Sequence, residues 1–223
     1  MAARAGALAP LSAIVLAGGR SSRFGGSKLD EPFGSTTVLG STIARVRQVA
    51  DEIVVVRAAT GRATGGAPTQ SRQRIAGDGT PALHEVADET PFQGPLAGLR
   101  RGLEVARNDL VLAIGGDMPL VRAEVLRLLA ARLAGAPAAS AACLLDGAEV
   151  RPLPLALRRD PALGIATELL SRGDRSLRAL LAAVASIEVE EAVWRALDPD
   201  ADTLLDVDRP ADLEAARARA PRG

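Results

Sequence analysis

Residues 14–28 read IVLAGGRSSRFGGSK, an apolar run that opens into four glycines, three serines and the cations Arg20, Arg23 and Lys28. The apolar half has the unbroken hydrophobicity of a strand buried on both faces, as in a parallel sheet. The other half offers backbone amides and positive charge, the chemistry that holds a phosphate. Two familiar phosphate loops do not fit. No Gly-Lys pair precedes Ser or Thr, which rules out the P-loop spacing, and no G-x-G-x-x-G register can be laid on the stretch. A buried strand feeding this loop points to an α/β fold and an anionic ligand, and leaves the chemistry to the rest of the chain.

The chain has 223 residues, enough for one large domain or two small ones and for a substantial core. Its 27 basic and 27 acidic residues balance. That excludes a general nucleic-acid or membrane-surface binder, whose footprint is basic, and suits a local cationic site for a small anion. The one cysteine, Cys143, forms no intramolecular disulfide and no zinc cluster, which fits a reducing, cytoplasmic setting. No apolar stretch approaches the ~20 residues of a membrane span. Residues 1–10, rich in alanine but without a long apolar core, read as a flexible tail.

Short apolar runs alternate with helical patterns, which indicates βα units and a mostly parallel sheet. The strands are expected at 12–17, 52–58, 82–87, 109–115, 139–145 and 152–157. Helices are expected near 40–50, from Gly94 onward, and at 121–134, 161–171, 176–184 and 209–219. In the second of these Leu96, Leu99 and Leu103 recur at helical spacing. Residues 59–81, dominated by Gly, Pro, Thr and Ser, read as a flexible surface loop within one domain spanning 11–216. Residues 217–223 read as a C-terminal tail. The lone histidine, His84, lies inside a strand pattern and reads as structural, and Trp194 as packing.

Ligands of open parallel sheets bind beyond the carboxyl ends of the strands. Three segments leave expected strands in that direction: the glycine loop, ADETPFQGPLAG with Asp88 and Gly94-Pro95, and GGDMP with Asp117. If the three strands run parallel, amides, cations and two carboxylates share one crevice. Such a set suits a polyphosphate and its magnesium, and points to phosphoryl or nucleotidyl transfer.

The motif LAGGRSSRFGGSK resembles the signature of nucleotidyltransferases that activate sugars and cofactors. Together with GPLAGL, GGDMP, DGAEVRPLPLALRRD, GDRSLRALL and DVDRPADL, it resembles the molybdenum cofactor guanylyltransferase family from about residue 12 to residue 215. The resemblance implies a Rossmann-like, three-layer α/β/α nucleotidyltransferase fold around a mostly parallel sheet. It also implies transfer of GMP from GTP to the phosphate of molybdopterin or its molybdenum-loaded form, with molybdoenzymes or their chaperones as onward partners. By the family's pattern Leu16, Ala17, Gly18 and Gly19 hold the nucleotide, and Asp88 with Gly94, Pro95 and Leu96 completes its pocket. Arg23 and Lys28 contact phosphates, Asp117 binds magnesium, and Arg151, Arg175 and Arg178 face the pterin.

The chain departs from the pattern at Ser27 before the lysine, at Gly116 before the metal aspartate, and in Asp206-Val207-Asp208 where Asn-x-Asn is common. Asp208 reads equally as a second magnesium ligand and as an N-cap before Pro210. A cytidylyltransferase for the same cofactor, a guanylyltransferase for another phosphorylated molecule such as phospholactate, and a non-catalytic nucleotide-binding module stand as alternatives. Gly18, where cytidylyl relatives tend to carry alanine, leans toward guanine.

Overall fold

A computed structural model of the chain describes residues 9–18, 27–58, 72–74, 81–87 and 94–220. Its elements are β1 (Leu11–Ala17), β2 (Pro32–Phe33), β3 (Thr36–Thr37), α1 (Val38–Val46), β4 (Glu52–Arg57), β5 (Arg72–Arg74), β6 (Ala82–Ala87), α2 (Pro95–Val105), β7 (Leu110–Gly115), α3 (Ala123–Ala134), β8 (Ala141–Asp146), β9 (Glu149–Arg158), α4 (Arg159–Ser171), α5 (Leu177–Ala183), β10 (Ser186–Val189), α6 (Glu191–Arg195) and α7 (Pro210–Arg219). One eight-stranded sheet runs in the order β10-β8-β9-β7-β1-β4-β6-β5. Strands β1, β4, β6, β7, β8 and β10 point one way, and β5 and β9 oppose them.

β1 lies between β4 and β7, which explains its apolar run. Successive side chains of a strand leave opposite faces, and both faces are covered here. Ala13 and Val15 join a core with α1, α3 and α7, while Ile14 joins a second core with α2, α4 and α5. The chain is thus a three-layer α/β/α structure around a mostly parallel sheet. Each expected strand and helix is present.

Five elements were not anticipated: β5, β10, α6, and the two-residue strands β2 and β3, which pair antiparallel with each other. β10 is a short edge strand with a half-exposed pattern, and α6 is a short helix. The expected loop at 59–81 is corrected at Arg72–Arg74, which pair antiparallel with β6; residues 59–71 and 75–80 lie outside the described residues. The expected C-terminal tail is corrected too, because α7 continues through Arg219.

His84 and Cys143 are buried, as structural residues should be. Burial, followed by the charge of Glu188, pushes the Cys143 thiol up to about 11. Trp194 is fully buried, and its Nε1 donates to the Leu145 carbonyl at 2.6 Å. Trp194→Phe strips this donor from the half-buried Leu145 carbonyl, for an expected loss of about 1 kcal/mol. Urea unfolding followed by circular dichroism reads it as a lower midpoint. An unchanged midpoint would show that the indole contributes by packing alone.

Candidate active site

From β1 the chain proceeds to β4 and β6 on one side of the sheet, then crosses to β7 on the other. Open α/β sheets bind ligands at such a reversal, beyond the carboxyl ends of the strands. There the ends of β1 and β7 are tied, the Gly116 amide donating to the Leu16 carbonyl at 2.9 Å. The cleft above this tie is lined by Leu16, Ala17, Gly18, Lys28, Gly94, Pro95 and Asp117. Val56 and Arg57 at the end of β4, and Leu153 of β9, join them without having been singled out in the sequence.

Two of the glycines are there for space. A Cβ on Gly18 would stand 2.9 Å from the Ala58 amide nitrogen, so a side chain would force the backbones of the two strand ends apart. Gly94 has φ +88 and would bring a Cβ within 2.8 Å of the Arg175 carbonyl. It turns the chain into α2, whose first turn faces the cleft.

Lys28 begins a single 3-10 turn whose next residue, Leu29, is buried in the core. That anchor turns the lysine into the cleft. Its Nζ lies 2.6 Å from Asp117 Oδ2 and 2.7 Å from Asp208 Oδ1. The lysine side chain is 12% exposed, Asp117 23% and Asp208 59%. Burial alone would lower the Lys28 ammonium. The Asp117 charge and the hydrogen bonds to both carboxylates outweigh it, so the lysine titrates above its ordinary value.

The last limb of the site is extended. The Val207 amide donates to the Asp117 carbonyl at 2.9 Å, and the Val207 side chain is fully buried. Alternation along the chain then sends Asp206 and Asp208 to the opposite, exposed side. The cap expected of Asp208 belongs to Asp212, which accepts the amides of Asp208 at 3.0 Å and Arg209 at 2.7 Å. Asp208 is thereby left with its carboxylate on Lys28.

Asp206 entered the sequence reading only as part of the Asp206-Val207-Asp208 departure, with no role of its own. It keeps exposed surface yet lies low between charged neighbours. Burial, then the charge of Asp117, pushes its carboxyl up to about 7, against the opposing pull of Arg151. The i, i+2 acidic pair was its one sequence signal.

The remaining candidates divide. Gly19, Arg23 and Asp88 lie outside the described residues. Leu96 has its side chain fully buried in the core beneath α2, and its amide donates to the Arg175 carbonyl at 3.3 Å. Arg175 directs its guanidinium to the carbonyls of Leu170 and Asp174, at 3.0 and 3.1 Å. Arg178 donates to the Val150 carbonyl at 3.3 Å. Arg151 sits on β9 with a buried Nε that has no hydrogen-bond partner among the described residues. It is the arginine whose charge reaches the acidic group.

Two carboxylates from distant limbs already grip one cation between them. Among the described residues no set of three or more His, Cys, Asp or Glu side chains could hold a metal. A donor set of two carboxylates fits magnesium, which takes one or two from protein and completes its shell with water and substrate phosphates.

Residues 13–189 match the family described as MobA-like NTP transferase domain. A probable molybdenum cofactor guanylyltransferase of Chloroflexus aggregans is 28% identical over 93% of this chain and 94% of its own length. A molybdenum cofactor guanylyltransferase of Burkholderia orbicola is 34% identical over 81% of this chain and 85% of its own. In fold, the chain is similar to the crystal structure of molybdopterin-guanine dinucleotide biosynthesis protein A from Archaeoglobus fulgidus, with a TM-score of 0.70 at 18% identity over 93% of this chain and 97% of that one.

Proposed function

The chain belongs to the MobA-like NTP transferase family, and we propose that it is a molybdenum cofactor guanylyltransferase. A phosphate oxygen of molybdopterin, or of its molybdenum-loaded form, attacks the α-phosphorus of GTP. The α–β anhydride bond breaks, GMP passes to the pterin phosphate, and pyrophosphate leaves. The observation that carries this reading is the meeting of Asp117 and Asp208 on Lys28 at the mouth of the cleft. The names of the relatives supply the base and the acceptor.

Both reactants are anions, so the site must first offset their repulsion. Asp117 and Asp208 would hold magnesium, which supplies charge neutralisation on the triphosphate. Lys28 would hold phosphate oxygens, and so would Arg23. Leu16, Ala17 and Gly18 would shape the nucleotide pocket, with Gly19 and Asp88 completing it. Arg151, whose charge reaches Asp206, would meet the acceptor phosphate. That phosphate is already largely ionised near neutral pH, its second pKa being about 6, so no general base is needed. The lone histidine has other company: His84 Nε2 lies 3.4 Å from the buried Glu52 Oε1. No helix among the described residues is long and apolar enough to cross a membrane.

The reading predicts pyrophosphate release on mixing the protein with GTP, magnesium and molybdopterin. It also predicts selective stabilisation by the right nucleotide. A ligand at a hundred times its Kd adds about 2.7 kcal/mol to the native state. For a chain of this size that is a rise of roughly 5–10 °C in Tm. GTP with magnesium should give that rise and CTP should not. The reverse order assigns the cytidylyl reaction instead. Release with GTP and phospholactate but not the pterin moves the acceptor. A GTP-dependent rise without turnover on either acceptor leaves only a binding module.

A further inference from the structure

Asp117 and Asp208 come from limbs far apart in sequence, yet their carboxylates must stay at one spacing to share a cation. The Val207–Asp117 backbone bond ties the limbs on one side. On the other side the tie is Arg122, in the turn between β7 and α3. Its amide donates to Thr203 Oγ1 at 3.2 Å, and its guanidinium donates to Asp202 Oδ2 at 2.5 Å. Its Nε lies 3.6 Å from Asp198 Oδ1. Asp198 is fully buried and accepts the amides of Asp202 at 3.1 Å and Thr203 at 2.7 Å, which winds residues 198–205 into a tight turn. Arg219 of α7 reaches Asp202 Oδ1 at 3.5 Å, so the helix that follows Asp208 is tied to the same carboxylate.

Buried ion pairs add little stability over well-packed apolar side chains, because removing the charges from water costs about what their attraction returns. What they do impose is geometry. The network joins the limb that carries Asp117 to the limb that carries Asp208, with Arg122 spanning the gap. We infer that Arg122 is a positioning residue: it sets where Asp208 stands relative to Asp117, and so the fit of the pair to a divalent cation. This inference rests on the proposed metal–triphosphate site.

The test uses the full chain with Arg122→Ala and Arg122→Lys, and two readouts. The first needs no metal. Hydrogen exchange of the Val207 amide should quicken in Arg122→Ala while the amides of β1 and β7 keep their rates, and Arg122→Lys should fall between. The second is Mn2+ binding beside GTP, followed by electron paramagnetic resonance. Loss of a group that orients ligands weakens metal binding by roughly 10- to 100-fold, and Arg122→Lys should recover part of it. If Arg122→Ala does not fold, Thr203→Val removes one acceptor and should shift the Val207 exchange in the same direction.

Unchanged Val207 exchange together with unchanged Mn2+ affinity overturns the inference. So does a fall in Tm with every amide quickened alike, which marks a merely structural role. If the unaltered chain binds GTP but no Mn2+ beside it, the metal reading itself falls and takes the inference with it, whatever Val207 does.

Discussion

Asp117→Asn lowers kcat by roughly 10²- to 10³-fold, the scale on which loss of one preorganised charge contact at a reacting centre is felt. Asparagine keeps the shape of the side chain and the backbone carbonyl that receives Val207, so the tie between the limbs survives. What disappears is one negative charge at the end of β7, where the proposed reaction would hold the triphosphate and its cation. Lys28 retains Asp208 as a partner, and no buried charge is orphaned. Tm should therefore stay within about 3 °C of the unaltered chain, since a partly exposed polar substitution of this kind rarely costs more than about 1 kcal/mol. Pyrophosphate release across a magnesium titration is the measurement. A parallel fall in kcat and kcat/KM places the contact in the transition state; a rise in KM alone places it in binding. Turnover within about threefold of the unaltered chain, well below the 10²-fold scale of such contacts, would falsify the assignment of Asp117.

The fold was legible wherever burial on both faces wrote itself into the sequence. β1, β4 and β7 are continuous apolar runs because helices cover both sides of them. Strand direction is not carried by such runs. Leu155 and Leu157 of β9 read like any interior strand, yet β9 opposes both of its neighbours. Edge strands fared worst. β10 alternates with charged residues at an exposed margin, and β5 is three residues of a polar stretch whose only reason to extend is pairing with β6.

The site was legible where a residue type sits at a strand end. Lys28 and Asp117 are 89 residues apart, and the parallel course of β1 and β7 is what brings their loops to one edge. Asp208 was ambiguous because a position two residues before Pro210 suits a cap and a ligand equally. Only Asp212, four residues on, settles that the backbone amides are served elsewhere. The role of Asp206 was missed because it depends on charges from three other limbs. Leu96 shows the other limit: inside the GPLAGL motif its side chain serves the core, where with Leu99 and Leu103 it fastens α2 to the sheet.

Lys28→Met is expected to push two properties in opposite directions. Turnover falls by roughly 10²- to 10³-fold, because the cation proposed to hold developing charge on the phosphates is gone. Affinity for a divalent cation in the absence of nucleotide rises. The Lys28 ammonium lies within hydrogen-bond distance of both carboxylates, on the spot where two acids can grip a cation, so a metal must displace it. Removing the ammonium removes the competitor and leaves Asp117, Asp206 and Asp208 with less opposing charge. The contact with Asp208 is half-exposed and worth little, about 0–1 kcal/mol. The contact with Asp117 is more buried and carries most of the effect. A gain of about 1.4 kcal/mol is a tenfold tighter Kd, and Mn2+ titration of the nucleotide-free protein would read it. On the proposed reading GTP would work the other way in the unaltered chain: its phosphates would give Lys28 a new partner, so metal and nucleotide would each ease the other's entry. Mn2+ affinity should then rise on adding GTP to the unaltered chain, and rise less in Lys28→Met. Equal gains in the two proteins would mean that the lysine never leaves the carboxylates, and that it orders the acidic limb instead of serving the triphosphate.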